Sequence, residues 1–473
     1  MQIQTDQGLL SELAWRQLLA EATSLLVQAS AQVVATCLDN TPAFLAIDAA
    51  AQNLGLVHVP LPVFFTPEQM QHALHSAGVD TLIVNVTGAS NWPQISRRDF
   101  SLLDEHLACL SLANQPCEVP KGTSKITFTS GTTAQPKGVC LSTASMLAVA
   151  KSLAVATESM GLNRHLNALP FAVLLENIAG VMAPVQTGAT LITLPLAQLG
   201  WRGASGFDVE IFHAAVLKHQ PNSMVVLPQM LRAWCAYLAQ TQQKAPSCLR
   251  LVAVGGAPVG QTLIEQAHRL GLPAFEGYGL SEGSSVQTLN LPTKNCAGSV
   301  GRPLPHASLR IAEDGEIEVS GSLMLGYLGQ EPLTNGWWPS GDLGRIDEDG
   351  YLHIEGRKKN VLITSFGRNV SPEWVETVLR SSSSIREAVV FGNGQPHLSA
   401  VIWPINTSAS SDELATVIAN AVELANTQLP DYARIAKQVV ADLPFTAQSG
   451  MSTANGRPQR EAIFKTYAKA LGL

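Results

Sequence analysis

A segment rich in hydroxyls, glycine and lysine at residues 129–138 has the residue types that bind a polyphosphate. A β-branched and aromatic run predicts a strand ending at residue 129, followed by further hydroxyls and an ammonium group: Thr129, Ser130, Thr132, Thr133 and Lys137. Gly131 and Gly138 let a ligand approach the backbone closely. The segment is not a Walker loop, because Lys137 precedes glycine and not serine or threonine. Taken alone, it could also be a Gly/Thr/Pro-rich surface turn.

Three later segments carry residues that can complete such a site. Residues 255–258 (Gly-Gly-Ala-Pro) and 276–282 (Glu-Gly-Tyr-Gly-Leu-Ser-Glu) follow predicted strands. Ligands bind beyond the carboxyl ends of strands in open parallel sheets, so these loops are expected to converge on one crevice. Asp342, in a tight turn at residues 340–344, suits the vicinal hydroxyls of a ribose because its carboxylate accepts two hydrogen bonds.

The elements that position these loops alternate between strand and helix. Helical patterns at 43–54, 66–77, 208–219 and 229–242 alternate with apolar runs at 57–60, 80–85, 189–194 and 223–227. The predicted fold class is α/β: a large N-terminal domain with parallel α/β sheets plus a small β-rich section, followed by a small mobile α+β C-terminal domain. The β-rich section begins near residue 298 and contains an Asp349-Gly350 hairpin signal. We place the domains at residues 1–356 and 357–473.

Composition narrows the class of protein. The 473 residues are 46% hydrophobic and 14% charged, with a formal net charge of −7. No basic run exceeds residues 357–359, so no nucleic-acid partner is expected. The chain opens without a signal-peptide pattern, and polar or proline residues interrupt its apolar runs, so we expect a cytoplasmic protein without a membrane span. The seven cysteines include no Cys-x-x-Cys pair, which predicts neither a disulfide framework nor a zinc site.

Four motifs together resemble the adenylate-forming superfamily of acyl-CoA synthetases, carrier-peptide adenylation domains and beetle luciferases. In family order they are Thr129-Ser-Gly-Thr-Thr-x-x-Pro-Lys137-Gly, Tyr278-Gly-Leu-Ser-Glu282, Ser340-Gly-Asp342 and Gly356-Arg-Lys-Lys-Asn-Val-Leu-Ile363. Each motif alone is a modest signal, but their order and spacing make coincidence improbable. The resemblance extends over roughly residues 41–460 and is nearest to bacterial long-chain acyl-CoA synthetase-like proteins.

The resemblance implies ligands for ATP, Mg²⁺ and CoA, or a carrier-protein phosphopantetheine in place of CoA. The implied ligands of the β/γ-phosphates are Thr129, Ser130, Gly131, Thr132, Thr133 and Lys137. The implied ligands of the adenine and the α-phosphate are Gly256, Ala257, Tyr278, Gly279 and Ser281. Glu282 is the implied Mg²⁺ ligand, and Asp342 and Arg357 the implied ribose ligands. Lys359 matches a hinge about which the C-terminal domain rotates between two steps, and Gly367 matches the loop that meets the pantetheine arm.

Three positions depart from the family pattern. Ala134 replaces a glycine of the phosphate loop, and Val173 replaces a histidine or another aromatic residue near the acyl channel. Arg457, in the motif Thr453-Ala-Asn-Gly-Arg457-Pro-Gln-Arg460, replaces the lysine used for adenylation. Arginine keeps the charge and can bind oxygens bidentately but is larger and planar, so we expect adenylation at a reduced rate or with altered geometry.

The expected function is ATP-dependent activation of a fatty or aryl acid to an acyl-adenylate, with pyrophosphate release, and transfer to the thiol of CoA. An amino acid is less expected, because residues 171–180 contain no aspartate for its ammonium group, although Glu176 is present. The alternatives are transfer to a carrier protein and a weakly active or non-catalytic nucleotide- or acyl-binding homologue, given Arg457. A third alternative is an α/β-hydrolase that uses Ser281, with His306, His353 or His397 as the base.

Overall fold

The structure of the protein is a computed structural model that describes residues 1–92, 94–115, 117–129, 136–203, 206–334, 336–366, 368–405, 410–453 and 457–473.

The helices are α1 Glu12–Gln28, α2 Pro42–Leu54, α3 Pro67–Ser76, α4 Thr143–Thr157, α5 Ala183–Gln186, α6 Val209–His219, α7 Pro228–Gln240, α8 Gln261–Arg269, α9 Pro372–Leu379, α10 Ser411–Asn426 and α11 Arg460–Leu471. The strands up to residue 207 are β1 Gln2–Thr5, β2 Gly8–Leu10, β3 Val33–Cys37, β4 Val57–Pro60, β5 Thr81–Asn85, β6 Ser96–Leu102, β7 Glu105–Ser111, β8 Lys125–Thr129, β9 Lys137–Leu141, β10 Arg164–Leu166, β11 Thr190–Ile192, β12 Trp201–Arg202 and β13 Gly206–Phe207. The later strands are β14 Ser223–Val226, β15 Leu251–Val254, β16 Ala274–Leu280, β17 Ser285–Leu289, β18 Arg302–Pro303, β19 Ala307–Ile311, β20 Glu316–Gly321, β21 Gly326–Tyr327, β22 Trp337–Ile346, β23 Leu352–Arg357, β24 Leu362–Ile363, β25 Asn369–Val370, β26 Ile385–Phe391, β27 Leu398–Pro404 and β28 Ile435–Val440.

The first sheet places the predicted phosphate segment beside a parallel core. Its strand order is β21-β9-β8-β4-β3-β5-β7-β6, in which β8, β4, β3 and β5 run parallel. The outer strands pair antiparallel, including β8 with β9 and β9 with β21. Helix α3 begins at a capping box in which the side chains of Thr66 and Gln69 each accept from the other's backbone N–H. The hydroxyl before Pro67 predicted this start.

The second sheet carries the other predicted loops. Its strand order is β18-β17-β16-β15-β14-β10-β11-β1-β2, with β16, β15, β14, β10, β11 and β1 parallel. β16 turns through the 3₁₀ segment Ser281–Gly283 and continues antiparallel into β17. The predicted parallel arrangement is therefore confirmed for the inner strands of both sheets, whereas their edges are antiparallel.

Apolar packing joins the two sheets next to these loops. The shared buried cluster includes residues of β9, α4 and β17: Val139, Leu141, Met146, Val149 and Val286. Removal of this surface from water is the main driving force for the contact. A backbone bond of 2.7 Å from Met324 N–H to the Glu282 carbonyl adds a polar link, because Met324 lies just before β21 of the first sheet. The ends of β9 and β16 are thereby held together.

The remaining strands form the two smaller predicted parts. β19, β20, β22 and β23 form an antiparallel sheet, and the hairpin between β22 and β23 contains Asp349-Gly350 as predicted. Beyond it, β26, β27 and β28 pack with α9 and α10 over their own apolar cluster. The α/β class with a smaller α+β C-terminal part is confirmed; the division at residue 356 stays a prediction. Within the described ranges, no helix combines the length and apolar character needed to cross a bilayer.

A buried charged network fixes β8 against two neighbouring elements. Lys125, at the start of β8, donates to Asp48 of α2 at 2.8 Å and to Asn177 at 2.5 Å. His58 of β4 lies between Asp48, at 2.6 Å, and Thr36, at 2.9 Å. Burial alone raises the pKa of Asp48, but Lys125 and His58 outweigh it and hold that pKa well below its usual range. Since Asn177 belongs to the π-helical segment Glu176–Met182, the network links this segment to the strand that leads to Thr129.

Replacement of Lys125 by methionine should lower the free energy of unfolding by about 3–5 kcal/mol, because Asp48 would stay buried without its cation. Lys121→Met is the matched control, since Lys121 is exposed and its loss should change stability by less than about 0.5 kcal/mol. Urea denaturation followed by tryptophan fluorescence measures both variants. Equal stabilities would contradict a stabilising role for the network.

Candidate active site

The segment predicted to bind phosphates begins and ends on paired strands. Thr129, at the end of β8, pairs with Lys137, at the start of β9, so the sheet fixes both ends of the segment. The predicted ligands between them lie outside the described residues: Ser130, Gly131, Thr132 and Thr133. The Lys137 side chain is exposed, and its Nζ lies 5.2 Å from the ring centroid of Tyr327. An ammonium group over an aromatic face is an attractive contact.

Tyr327 links this lysine to the carboxylate of Glu282. Tyr327 lies in β21, paired with Val139 of β9, and its hydroxyl donates to Glu282 Oε1 at 2.7 Å. Burial and the charge of Glu282 raise the pKa of Tyr327, so the phenol keeps its proton and remains a donor. Within the described part of the chain no other side chain donates to Glu282.

The loop after β15 is held by a buried carboxyl group of β16. Val259 N–H donates to Glu276 Oε1 at 3.2 Å. Burial raises the pKa of Glu276 to about 8, so this group is protonated at neutral pH. Gly256, at the exposed tip of the loop beside Ala257, has a φ of +87°, which glycine adopts without strain. A neutral hydrogen-bonding group thus positions the loop without adding charge beside it.

Asp342 is the most highly connected of the predicted ligands. It is 6% exposed, and the register of β22 and β23 places it opposite Arg357. Arg357 Nε forms an ion pair with Oδ1 at 2.8 Å, and the Tyr278 hydroxyl donates to Oδ2 at 2.7 Å. Burial raises the pKa of Asp342, whereas Arg357 opposes the rise. Burial and Asp342 also raise the pKa of Tyr278, which keeps the phenol protonated. Among the described side chains, Oδ2 thus has one hydrogen-bond donor and Oδ1 faces the guanidinium group of Arg357.

Arg457 brings the C-terminal part of the chain into the same site. Its Nη2 donates to the Gly256 carbonyl at 2.8 Å. Desolvation and the nearby charge of Arg357 lower the pKa of Arg457. The carboxylates of Asp342 and Glu282 act in the opposite direction. Arg457 therefore lies within electrostatic range of both acidic groups, and it remains a cation because guanidinium does not lose its proton at accessible pH.

The two lysines of the basic turn after β23, Lys358 and Lys359, differ in their surroundings. Lys358 bridges Asp314 and Glu316, each at 2.6 Å, and so attaches the turn to the β-rich sheet. Lys359, the predicted hinge residue, is exposed in the following 3₁₀ turn, and desolvation and Arg357 lower its pKa. Gly367, predicted to meet the pantetheine arm, lies outside the described residues.

The local backbone contradicts the hydrolase alternative. A nucleophile elbow joins a strand to a helix, whereas Ser281 lies in a turn between the antiparallel strands β16 and β17. No histidine of the described residues hydrogen-bonds to Ser281. Gly279 serves this hairpin directly, since a Cβ there would lie 2.1 Å from the Ser285 carbonyl oxygen.

The structure brings together residues from each predicted motif: Lys137, Gly256, Tyr278, Glu282, Asp342, Arg357 and Arg457. The sequence analysis did not predict a site role for two residues, Glu276 and Tyr327. Glu276 had a signal, because it is a carboxyl residue that directly follows a predicted strand. Tyr327 had none, because it lies outside the motifs and reaches Glu282 only through the pairing of β21 with β9.

Comparison with known families decides the family of the chain. The profile of the AMP-binding enzyme family matches residues 14–328, and that of the AMP-binding enzyme C-terminal domain matches residues 359–472. The chain belongs to the AMP-binding enzyme family. Within this family it is 36% identical to a long-chain-fatty-acid–CoA ligase, FadD15 of Mycobacterium tuberculosis, over 46% of this chain and 41% of the relative. It is 31% identical to the 2-succinylbenzoate–CoA ligase of Bacillus velezensis, over 62% of this chain and 61% of the relative. The chain thus spans about half the length of these curated relatives.

Solved structures of AMP-binding enzymes share the fold over nearly the whole chain. The anthranilate CoA ligase AuaEII, in complex with anthranoyl-AMP, gives a TM-score of 0.80 at 17% identity, covering 100% of this chain and 95% of that one. The Bacillus subtilis o-succinylbenzoate CoA synthetase MenE, in complex with ATP and magnesium ion, gives a TM-score of 0.75 at 22% identity. The match covers 97% of this chain and 95% of that one. At these identities the likeness establishes the fold.

Neutral Glu276 should make stability depend on pH. A carboxyl whose pKa is about 8 when folded and about 4.3 when unfolded loses stability as pH rises between these values. Glu276→Gln removes this contribution, so the Tm of the variant should fall less than that of wild type between pH 5.5 and 8. Glu348→Gln, at an exposed position, should follow wild type. Calorimetry that gave identical slopes for Glu276→Gln and wild type would contradict a neutral Glu276.

Proposed function

We propose that the protein is an ATP-dependent acid–thiol ligase that forms an acyl-adenylate and then a CoA thioester. In the first step a carboxylate oxygen of the acid attacks the α-phosphorus of ATP, and pyrophosphate leaves. In the second step the CoA thiol loses its proton and attacks the acyl carbonyl, and AMP leaves. The observation that carries this proposal is the convergence of Arg457, from the C-terminal part, with Asp342 and Glu282 beside the Gly256 loop.

The donor set fits ATP along its length. Asp342 and Arg357 suit the ribose hydroxyls, while Gly256, Ala257 and Tyr278 provide exposed backbone and an aromatic ring for the base. Lys137 and Arg457 carry the charge for the phosphates, whose further proposed ligands are Thr129, Ser130, Gly131, Thr132, Thr133, Gly279 and Ser281. Electrostatic stabilisation of charge that develops at phosphorus is the main catalytic contribution we assign to these residues.

Glu282 is the proposed Mg²⁺ ligand. Hard divalent cations prefer carboxylate oxygens, and only one oxygen of Glu282 is engaged by Tyr327. Mg²⁺, when bound, offsets the negative charge of the phosphates during the attack. We assign Tyr327 the role of orienting the carboxylate, because its hydroxyl donates to Oε1 and its ring packs under Lys137.

For the second step we propose rotation of the C-terminal part about Lys359. The contacts between the two parts include hydrogen bonds from Arg457 to the Gly256 carbonyl and from Arg232 Nη1 to the Arg380 carbonyl, the latter at 2.5 Å. Both connect the two parts of the chain by single hydrogen bonds, each of which contributes about 1.5–3 kcal/mol when the donor is charged. Breaking them is compatible with a reversible swing that carries Gly367 to the thiol.

The acid is proposed to be apolar, either a fatty or an aryl acid. Burial raises the pKa of Glu176 to about 8, so this side chain is neutral at pH 7 and gives no charge partner to the ammonium group of an amino acid. The relatives named as ligases of long-chain fatty acids and 2-succinylbenzoate support the same class and favour CoA as the thiol.

Pyrophosphate release across a panel of fatty, aryl and amino acids, each with and without CoA, tests the proposal. We expect release with apolar acids and an acyl-CoA product, identified by mass spectrometry, only when CoA is present. Adenylate that accumulates with CoA but transfers to a phosphopantetheinylated carrier protein would move the acceptor to the carrier. ATP binding without release for any acid would overturn the ligase activity in favour of a binding protein.

Arg457 should be the cation of the adenylation step. Arg457→Lys is expected to retain or raise the rate of adenylate formation, whereas Arg457→Ala should lower kcat by about 100-fold or more, the typical loss when one group that stabilises transition-state charge is removed. Lys465→Ala, at an exposed position of α11, is the control and should match wild type. An unchanged rate in Arg457→Ala would exclude this role.

A further inference from the structure

Three metal-binding side chains meet at the turn end of the β22–β23 hairpin, away from the proposed nucleotide site. The Cys296 thiol, a carboxylate oxygen of Asp347 and a ring nitrogen of His353 all lie within 4.8 Å of one another, and all three residues are half-buried. We propose that Cys296, Asp347 and His353 bind a divalent transition metal of the Zn²⁺ type. This inference does not depend on the proposed ligase activity.

The Asp347 carboxylate is oriented to give one oxygen to a metal. Its Oδ1 accepts from the backbone N–H groups of Asp349, at 3.1 Å, and Tyr351, at 2.8 Å, which fixes the turn. Its Oδ2 is directed at His353 Nε2, at 2.8 Å. The carboxylate is thus locked in place, with Oδ2 as a monodentate ligand.

Each ring nitrogen of His353 faces an oxygen atom. Nε2 faces Asp347 Oδ2, and Nδ1 faces the Gly298 carbonyl at 3.3 Å. A metal at Nε2 leaves Nδ1–H to donate to Gly298, which is how metal-bound histidines are commonly oriented.

The loop that carries Cys296 is fixed independently of a metal. Cys296 N–H donates to Asn290 Oδ1 at 3.0 Å, and the Ser299 hydroxyl donates to the Cys296 carbonyl at 2.8 Å. Two backbone bonds, Val300 N–H to the Leu352 carbonyl and Leu352 N–H to the Gly301 carbonyl, tie this loop to β23. The three ligands therefore come from elements that are already held together, and binding needs little reorganisation.

The mixed donor set selects the class of metal. Thiolate, imidazole and carboxylate together suit Zn²⁺ or Co²⁺, whereas Mg²⁺ and Ca²⁺ prefer oxygen ligands. Zn²⁺ bonds to nitrogen and oxygen are about 2.0–2.2 Å long, so Oδ2 and Nε2 must part by about 0.5 Å when the ion enters. The side chains of His353 and Asp347 are 16% and 25% exposed, so solvent reaches both proposed ligands. The ion would clamp the Cys296 loop to the strand that ends at Arg357.

Titration of the metal-free protein with Zn²⁺ against a chromophoric chelator, and with Co²⁺ by absorption spectroscopy, tests the site. We expect one tight Zn²⁺ site and a thiolate-to-Co²⁺ charge-transfer band. Cys296→Ser and His353→Gln should lower the affinity by at least about tenfold, and Cys296→Ser should abolish the band. Cys248→Ser, which replaces another half-buried thiol, should behave as wild type.

The stability of the metal-free variants separates loss of the site from loss of the fold. Their Tm without metal should stay near that of wild type, and Zn²⁺ should raise the Tm of wild type but not of Cys296→Ser. Equal Zn²⁺ affinity in wild type and in both ligand variants would overturn the proposal, as would the absence of a Co²⁺ thiolate band in wild type.

Discussion

The buried carboxylate of Asp342 constrains the arrangement of the site more than any other group. A charge so far removed from water must be paired and hydrogen-bonded; Arg357 provides the opposite charge and Tyr278 the hydrogen-bond donor. These two residues come from β23 and β16, so satisfying one carboxylate fixes the β-rich sheet against the end of the second large sheet. Because the basic turn follows Arg357 directly, the same pairing also fixes where that turn begins.

The charged groups around this pair bear on the ligand that we propose for the site. Arg457 and Arg357 repel one another, and the carboxylates of Asp342 and Glu282 only partly offset them, since Asp342 is engaged with Arg357 itself. Lys137 adds a further positive charge on the other side of Tyr327. Under the proposed function, the phosphates of the nucleotide would relieve the repulsion between the two guanidinium groups. Arginine at position 457 suits this role because its planar fork can bridge two oxygens.

Local signals in the sequence were sufficient for much of the fold and for the motif residues. The Thr66 cap and the Asp349-Gly350 turn were predictable because each depends on neighbours a few residues away. The contact of Arg457 with Gly256 was not, because it depends on how the C-terminal part docks. The antiparallel sheet edges and the role of Tyr327 were missed for the same reason: both arise from strand pairing between distant segments. The proposed metal site at Cys296, Asp347 and His353 likewise depends on the folded structure, because no spacing pattern in the sequence reveals it.

We propose that two distant parts of the chain form one nucleotide site. A double-mutant cycle on ATP affinity, measured by titration calorimetry with Asp342→Asn, Arg457→Ala and the double variant, tests it most directly. If Asp342 and Arg457 contact the same nucleotide within one electrostatic network, their effects should be non-additive, with a coupling free energy of about 0.5–3 kcal/mol. Losses that add to within about 0.3 kcal/mol, or an Arg457→Ala variant that binds ATP as wild type does, would contradict a shared site.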